Sequence, residues 1–245
     1  MARCILNADD FGLSSTINGS VIDLIEKRLI TSSTIMAGRN PEGLKEALDA
    51  AQRLRHRAGF GLHLDLDSYF LFDQSGHYGN DELDVSGAPA QIAARRNKEI
   101  IGDIDKQINV LTSAGIRISH IDGHHFVHQF VDIMEILLPL MSDYGIMAMR
   151  FNEAFYKNRQ NLGRALDLIN KFGIQTTEAF FDFPDIERLK PCRPDEDNTF
   201  VEVMLHTEMP GSHSSHWRVK QYEYIMSHAA GFAALQKASF HDLYQ

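Results

Sequence analysis

The chain has 245 residues with 44% hydrophobic and 23% charged content, enough to bury a substantial core without staples. Its 24 basic and 33 acidic residues leave a formal charge of −9, and no dense Lys/Arg cluster is present to displace counterions from phosphates, which excludes a nucleic-acid partner. The two cysteines, Cys4 and Cys192, are too few for a disulfide framework and lack the paired spacing of a thiolate zinc site.

The predicted elements alternate along the chain. Residues 3–8 read as a strand, and 17–28 carry Ile17, Val21, Leu24 and Ile25 at helical spacing. A β-branched strand at 31–37, a helix at 41–57 and a strand at 60–66 follow. Residues 68–89 are rich in Gly, Asp, Ser and Tyr and read as a long loop of the functional kind. A helix at 90–114 ends before Gly115, a C-cap residue. Then come strand 116–121, helix 131–144, strand 147–151, helix 162–172 and strands 175–181 and 200–205, with a Pro- and charge-rich loop at 184–198. A helix over 217–236 ends the series. Seven strands alternating with helices predict βα units and a parallel sheet, and a single-domain, TIM-barrel-like (β/α) barrel over 1–245 is the expected fold. No apolar run reaches the length of a membrane span and no apolar signal region precedes Asn7, so the expected address is the cytoplasm.

In a βα barrel, reactive residues gather at the C-terminal ends of several strands. Polar residues fall there repeatedly in this sequence. The first strand runs into Asn7, Asp9 and Asp10; adjacent carboxylates behind an apolar run need partners or a metal, although one of them at a helix start is also a plain N-cap. Alternation in the third strand puts His63, Asp65 and Asp67 on one face. The fourth reads Ser119-His120-Ile121-Asp122-Gly123-His124-His125-Phe126-Val127-His128. If extended geometry persists, His120, Asp122, His124 and His128 all aim inward, and imidazoles beside a carboxylate suit a transition metal. Arg150 closes the fifth strand, where it either holds a catalytic carboxylate or substrate oxygen or pairs with Glu153 or another rim acid. Glu202 and His206 share the inward parity of the last strand. A metal held by one carboxylate and two imidazoles, a second carboxylate as base and a His as acid together allow amide or ester hydrolysis.

The segments NADDFGLS (7–14), TSSTIMA (31–37), GLHLDL (61–66), SHIDGHHFVHQF (119–130) and EVMLH (202–206) resemble the YdjC-like carbohydrate deacetylases, in the same order and over about 200 residues. The resemblance implies removal of acetyl from an N-acetylated sugar or oligosaccharide by an enzyme with one divalent metal ion, zinc or magnesium. It implies Asp10, His63 and His124 as metal ligands, Asp9 as general base, His206 as general acid and Arg150 as a rim arginine beside the acid–base pair; family habit adds a homodimer. Two positions depart from the family pattern. Phe126 stands where the run His-x-His-x-His has its middle His, and Thr207 replaces the proline of a late His-Pro. An amidohydrolase-like barrel, which opens on His-x-His rather than Asp-Asp, and a catalytically silent sugar-binding barrel are the competing readings, with a metal store as a third.

Overall fold

A computed structural model describes residues 3–70, 88–183 and 199–244, and the side chains of all of these except 88–97. The loop at 184–198 and most of that at 68–89 lie outside the described residues.

Five strands carry most of the sheet: β1 (Arg3–Phe11), β2 (Ser32–Met36), β3 (Gly59–Leu64), β4 (Ile118–Gly123) and β6 (Phe200–Leu205). The short β5 (Ala179–Asp182) and the two-residue β7 (Lys237–Ala238) complete it. Every pairing is parallel, in the order β4-β3-β2-β1-β6-β5, with β7 pairing β1 at Cys4 and Ile5. The helices α1 (Ser15–Glu26), α2 (Pro41–Leu54), α3 (Ala88–Ser113), α4 (Val131–Asp143) and α5 (Arg159–Phe172) connect or flank the strands, and α6 (His216–Ser227) and α7 (Ala229–Ala234) follow β6. None of the described helices is long and apolar enough to cross a membrane.

The sheet is a curled, TIM-barrel-like parallel half-barrel, as expected, but its seven strands are not the expected seven. The segment at 147–151 makes only isolated bridges, Ile121 with Met149 and Ala148 with Gln175, backed by bonds such as Ile121 N to Ala148 O (3.1 Å) and Gln175 N to Met147 O (2.8 Å). Those bridges stitch β4 to the chain leading into β5, and so form the loose seam of the barrel. β7 takes the seventh place. The predicted last helix, 217–236, is two helices broken at His228, whose φ of −111° and ψ of 22° leave the helical region.

Strand alternation decides what faces helices and what faces the barrel axis. Cys4, Leu6 and Ala8 of β1, Phe60, Leu62 and Leu64 of β3, and Val203 and Leu205 of β6 join the large apolar layer beneath the helices. The opposite parity fills the interior in three levels. At the amino-terminal end, Ile5, Ala148, Phe200, Ala238 and Phe240 form a separate apolar floor. Above it lie Asn7, Asp122, Arg150 and Glu202, all buried. Asp9, Asp10, His124 and His206 sit at the carboxyl-terminal rim.

The caps follow the sequence. Ser14 Oγ accepts from Ile17 N at the start of α1, and Asn40 and Asn158 open α2 and α5 in the same manner. Gly61 is required by close approach: a Cβ there would lie 2.6 Å from the ring and the carbonyl oxygen of His120. His120 itself stacks on Phe240 with ring centroids 3.6 Å apart and planes 9° from parallel, so it belongs to the floor and not to the rim.

Candidate active site

Alternation would send Asp9 and Asp10 to opposite faces of β1. Two backbone features prevent this. The β1–β2 register shifts between Ala8 and Phe11, and Asp10 adopts a left-handed φ of 64°. Aspartate tolerates that conformation better than most residues, at a cost of order 1–3 kcal/mol. The twist turns both carboxylates into one mouth, where His206 Nε2 lies 3.8 Å from Asp9 and 4.0 Å from Asp10.

Asp9 is clamped. Arg150 donates Nη1 to its Oδ2 and Nη2 to its Oδ1, both at 2.7 Å, and Asn7 Nδ2 donates to Oδ1 at 2.8 Å. Burial disfavours the charged carboxylate, but the Arg150 guanidinium outweighs burial and holds Asp9 well below the ordinary range. Arg150 also reaches Glu202 Oε1 through Nε (2.7 Å) and Asp122 Oδ2 through Nη2 (3.0 Å). The acids that it binds are these three, one at the rim and two below it, and not Glu153. Burial pushes Glu202 up to about 7, with Arg150 offsetting only part of the shift.

Asp10, His63 and His124 converge. Asp10 Oδ1 is 3.2 Å from His63 Nε2 and 3.2 Å from His124 Nδ1, and the two nitrogens are 3.3 Å apart. His63 Nδ1 faces Asp122 Oδ1 at 2.7 Å, and Asp122 is itself held by Thr34 Oγ1 (2.9 Å) and Asn7 Nδ2 (3.2 Å). With the His63 proton on Nδ1 toward Asp122, Nε2 presents a lone pair to the Asp10 oxygen, which is buried and has no hydrogen-bond donor of its own. In that tautomer three acceptors face one point, an arrangement that suits a cation. The triangle's edges of 3.2, 3.2 and 3.3 Å are close to the roughly 3.4 Å edge of a tetrahedron with metal bonds of about 2.1 Å. The donor set of one oxygen and two imidazoles therefore fits zinc, and the one carboxylate leaves magnesium less well served. Two neighbouring sets are weaker. Asp9, His63 and Asp122 also lie together, but Arg150 fills that space; Asp67, His124 and His125 form a rim group in which Asp67 is already paired with Arg39.

All six residues singled out for catalysis or metal binding thus meet in one cluster. Others do not. β3 ends at Leu64, so the parity expected for Asp65 and Asp67 lapses; both pair with Arg39 at the partly exposed rim. β4 ends at Gly123, and His125 (φ 52°) and Phe126 (φ 57°) are both left-handed, which turns the chain under itself. His128 is carried away from the metal triangle, with Nε2 3.2 Å from the Arg150 carbonyl. Phe126 packs against Phe155 and Phe180, with ring centroids 5.9 Å away in each case. Thr207, in place of the proline, is buried with Oγ1 3.0 Å from Ser20 Oγ, and Glu208 accepts from Thr16 Oγ1 at 2.7 Å. These bonds tie the loop after β6 to α1.

One residue at the site has no signal in the sequence. Arg218 of α6 donates Nη2 to Asp10 Oδ2 at 2.6 Å, across 208 positions of chain. It sits in a helix turn with other polar residues, where a cation reads as solvent-facing. Asp122 and Glu202 did carry signals, their parity with His124 and with His206.

A parallel βα half-barrel with a carboxylate–imidazole triangle suited to a metal ion and a clamped carboxylate at the strand ends defines the class: an α/β barrel protein with its polar site at the carboxyl-terminal ends of the strands. The profile of the YdjC-like protein family matches residues 3–245. The chain belongs to the YdjC-like family. It is 32% identical over 220 residues to a carbohydrate deacetylase of Brevibacillus brevis, covering 83% of this chain and 80% of that one. It is 27% identical to one of Clostridium beijerinckii, covering 69% of each. A solved structure from Enterococcus faecalis V583, described as a cellobiose-phosphate cleavage protein, superposes with a TM-score of 0.70 at 18% identity, covering 100% of this chain and 99% of that one, and shows the same fold.

Proposed function

We propose that the protein is a metal-dependent carbohydrate deacetylase that hydrolyses the acetamide of an N-acetylated sugar. The observation that carries this reading is the triangle of Asp10 Oδ1, His63 Nε2 and His124 Nδ1, three acceptors within 3.3 Å of one another, beside a carboxylate fixed by a bidentate arginine. Relatives named carbohydrate deacetylase support the substrate class.

A divalent ion held by Asp10, His63 and His124 would polarise the acetamide carbonyl and acidify water. Asp9 takes the proton from the attacking water. Arg150 keeps it ionised and fixed in orientation, and the same clamp makes it a weak base, so it contributes chiefly through position. Water adds to the carbonyl carbon, the carbon–nitrogen bond breaks, and the leaving nitrogen takes a proton from His206 Nε2. Burial holds the resting imidazole below its ordinary value, while Asp9 and Asp10 favour its charged form, so His206 takes up the proton that Asp9 removed from the water, 3.8 Å away, and passes it to the nitrogen. Acetate and a free amino sugar result. Asp122, Thr34 and Asn7 act through others: they fix the His63 ring and the Asp9 carboxylate.

The test is acetate release from N,N′-diacetylchitobiose and a panel of N-acetylated sugars, with metal-stripped protein and after restoring zinc, magnesium, manganese or cobalt. Metal-dependent release supports the reading. Stoichiometric metal binding with no release from any sugar would replace the deacetylase with a barrel that binds without catalysing.

A further inference from the structure

Trp217 is the single tryptophan of the sequence, and its ring is half exposed at the second position of α6. Large apolar rings left in water at a site's mouth point to something that covers them. Its position is fixed from two sides. Ser215, just before α6, donates its backbone N to Glu208 Oε2 at 2.8 Å. Arg218, the next residue, binds Asp10 Oδ2 at 2.6 Å and lays its guanidinium against the indole, 4.7 Å from the ring centroid. The indole lies 5.4 Å from the His206 ring, at an angle of 58°. An exposed aromatic face is thereby held beside the group that would protonate the leaving nitrogen.

Nothing in the fold demands this arrangement, because a surface position on a helix favours no aromatic. The chemistry of the ring suggests the occupant. A pyranose presents a face of C–H groups with hydroxyls at its edge, and such a face stacks on an aromatic π-system. We infer that Trp217 is the platform on which the sugar ring of the substrate stacks, so that its N-acetyl nitrogen comes within reach of His206. Arg218 is the positioning residue: it covers one face of the indole, and its Nη1, buried and without a partner among the described residues, is free to donate to a ring oxygen or hydroxyl of the sugar. This inference rests on the carbohydrate reading proposed above.

A lone tryptophan makes its own reporter. Wild-type protein mixed with N,N′-diacetylchitobiose in a stopped-flow fluorimeter should show a saturable change in tryptophan emission before turnover. In steady state, Trp217→Ala should raise KM about tenfold, with kcat within about threefold of wild type, and Trp217→Phe should recover most of the loss. Since the ring is half exposed, both variants fold, which circular dichroism checks. Silent fluorescence together with an unchanged KM in Trp217→Ala would overturn the platform. Acetate release by wild type separates the two proposals. A fluorescence change without acetate release from any of the N-acetylated sugars sinks the deacetylase and leaves the platform standing. Release with silent fluorescence and an unchanged KM does the reverse, and neither signal sinks both.

Discussion

Arg150 and Asp9 face each other through two parallel 2.7 Å bonds at the top of a polar barrel interior. The same guanidinium serves Glu202 and Asp122, so three carboxylates share one cation. A fork of this kind cannot be copied by an ammonium, which offers a point charge. Arg150→Lys should therefore keep the fold and lower turnover about 100-fold, because Asp9 loses its orientation. Arg150→Ala leaves three buried carboxylates with no cation and should cost about 3–5 kcal/mol of stability in urea unfolding. Equal stability of Arg150→Ala and wild type would show that the cluster carries protons in place of the arginine.

Asp9→Asn preserves shape and one acceptor. Metal content and folding should match wild type, while turnover falls by about 10²–10⁴, the usual contribution of a positioned base. Wild-type activity in this variant would move the base elsewhere, with His206 the next residue to test.

Asp10→Ala, His63→Ala and His124→Ala should each remove stoichiometric metal, as read by elemental analysis after dialysis. Asp122→Asn is more discriminating. It touches His63 Nδ1 rather than the metal triangle, and loss of such an orienting carboxylate should weaken metal affinity about 10- to 100-fold. Metal binding that survives all three alanine changes would discard the triangle as the site.

His120 and His128 give a pH signature. Burial, with the Arg150 charge added, holds both imidazoles well below the ordinary histidine range. In the unfolded chain they titrate near about 6.5. Below that pH the unfolded state binds protons that the folded state refuses, so stability falls as pH drops. Glu202, raised to about 7 by burial, acts with opposite sign above the ordinary carboxyl range, so the difference between variants is the clean measure. His120→Phe keeps the stack on Phe240 and should lose less stability than wild type between about pH 7 and pH 5. Parallel curves would mean that His120 does not stay neutral in the folded state.

Much of this was legible in the sequence, for local reasons. Period-two alternation placed Asp122, Glu202 and His206 on inward faces, the adjacent carboxylates behind an apolar run marked Asp9 and Asp10, and apolar runs between amphipathic helices set the parallel sheet. Short-range rules reach no further than the end of an element. They continued the parity of β3 past Leu64 and of β4 past Gly123, where the backbone turns. They missed β7, whose two residues are too few for a pattern, and promoted 147–151 to a strand that the fold uses only as a seam.

What the sequence determined by itself is the fold class and a set of polar residues at strand ends, because hydrophobic periodicity is written in neighbouring residues. What only the tertiary structure decided is which of them meet. The left-handed Asp10 brings two adjacent carboxylates to one mouth, where alternation alone would part them. Arg150 gathers three acids from three different strands, and Arg218 crosses 208 positions of chain to reach Asp10. The desolvation of a buried charge is offset only by partners in contact, and contact between distant segments exists only once the barrel is built.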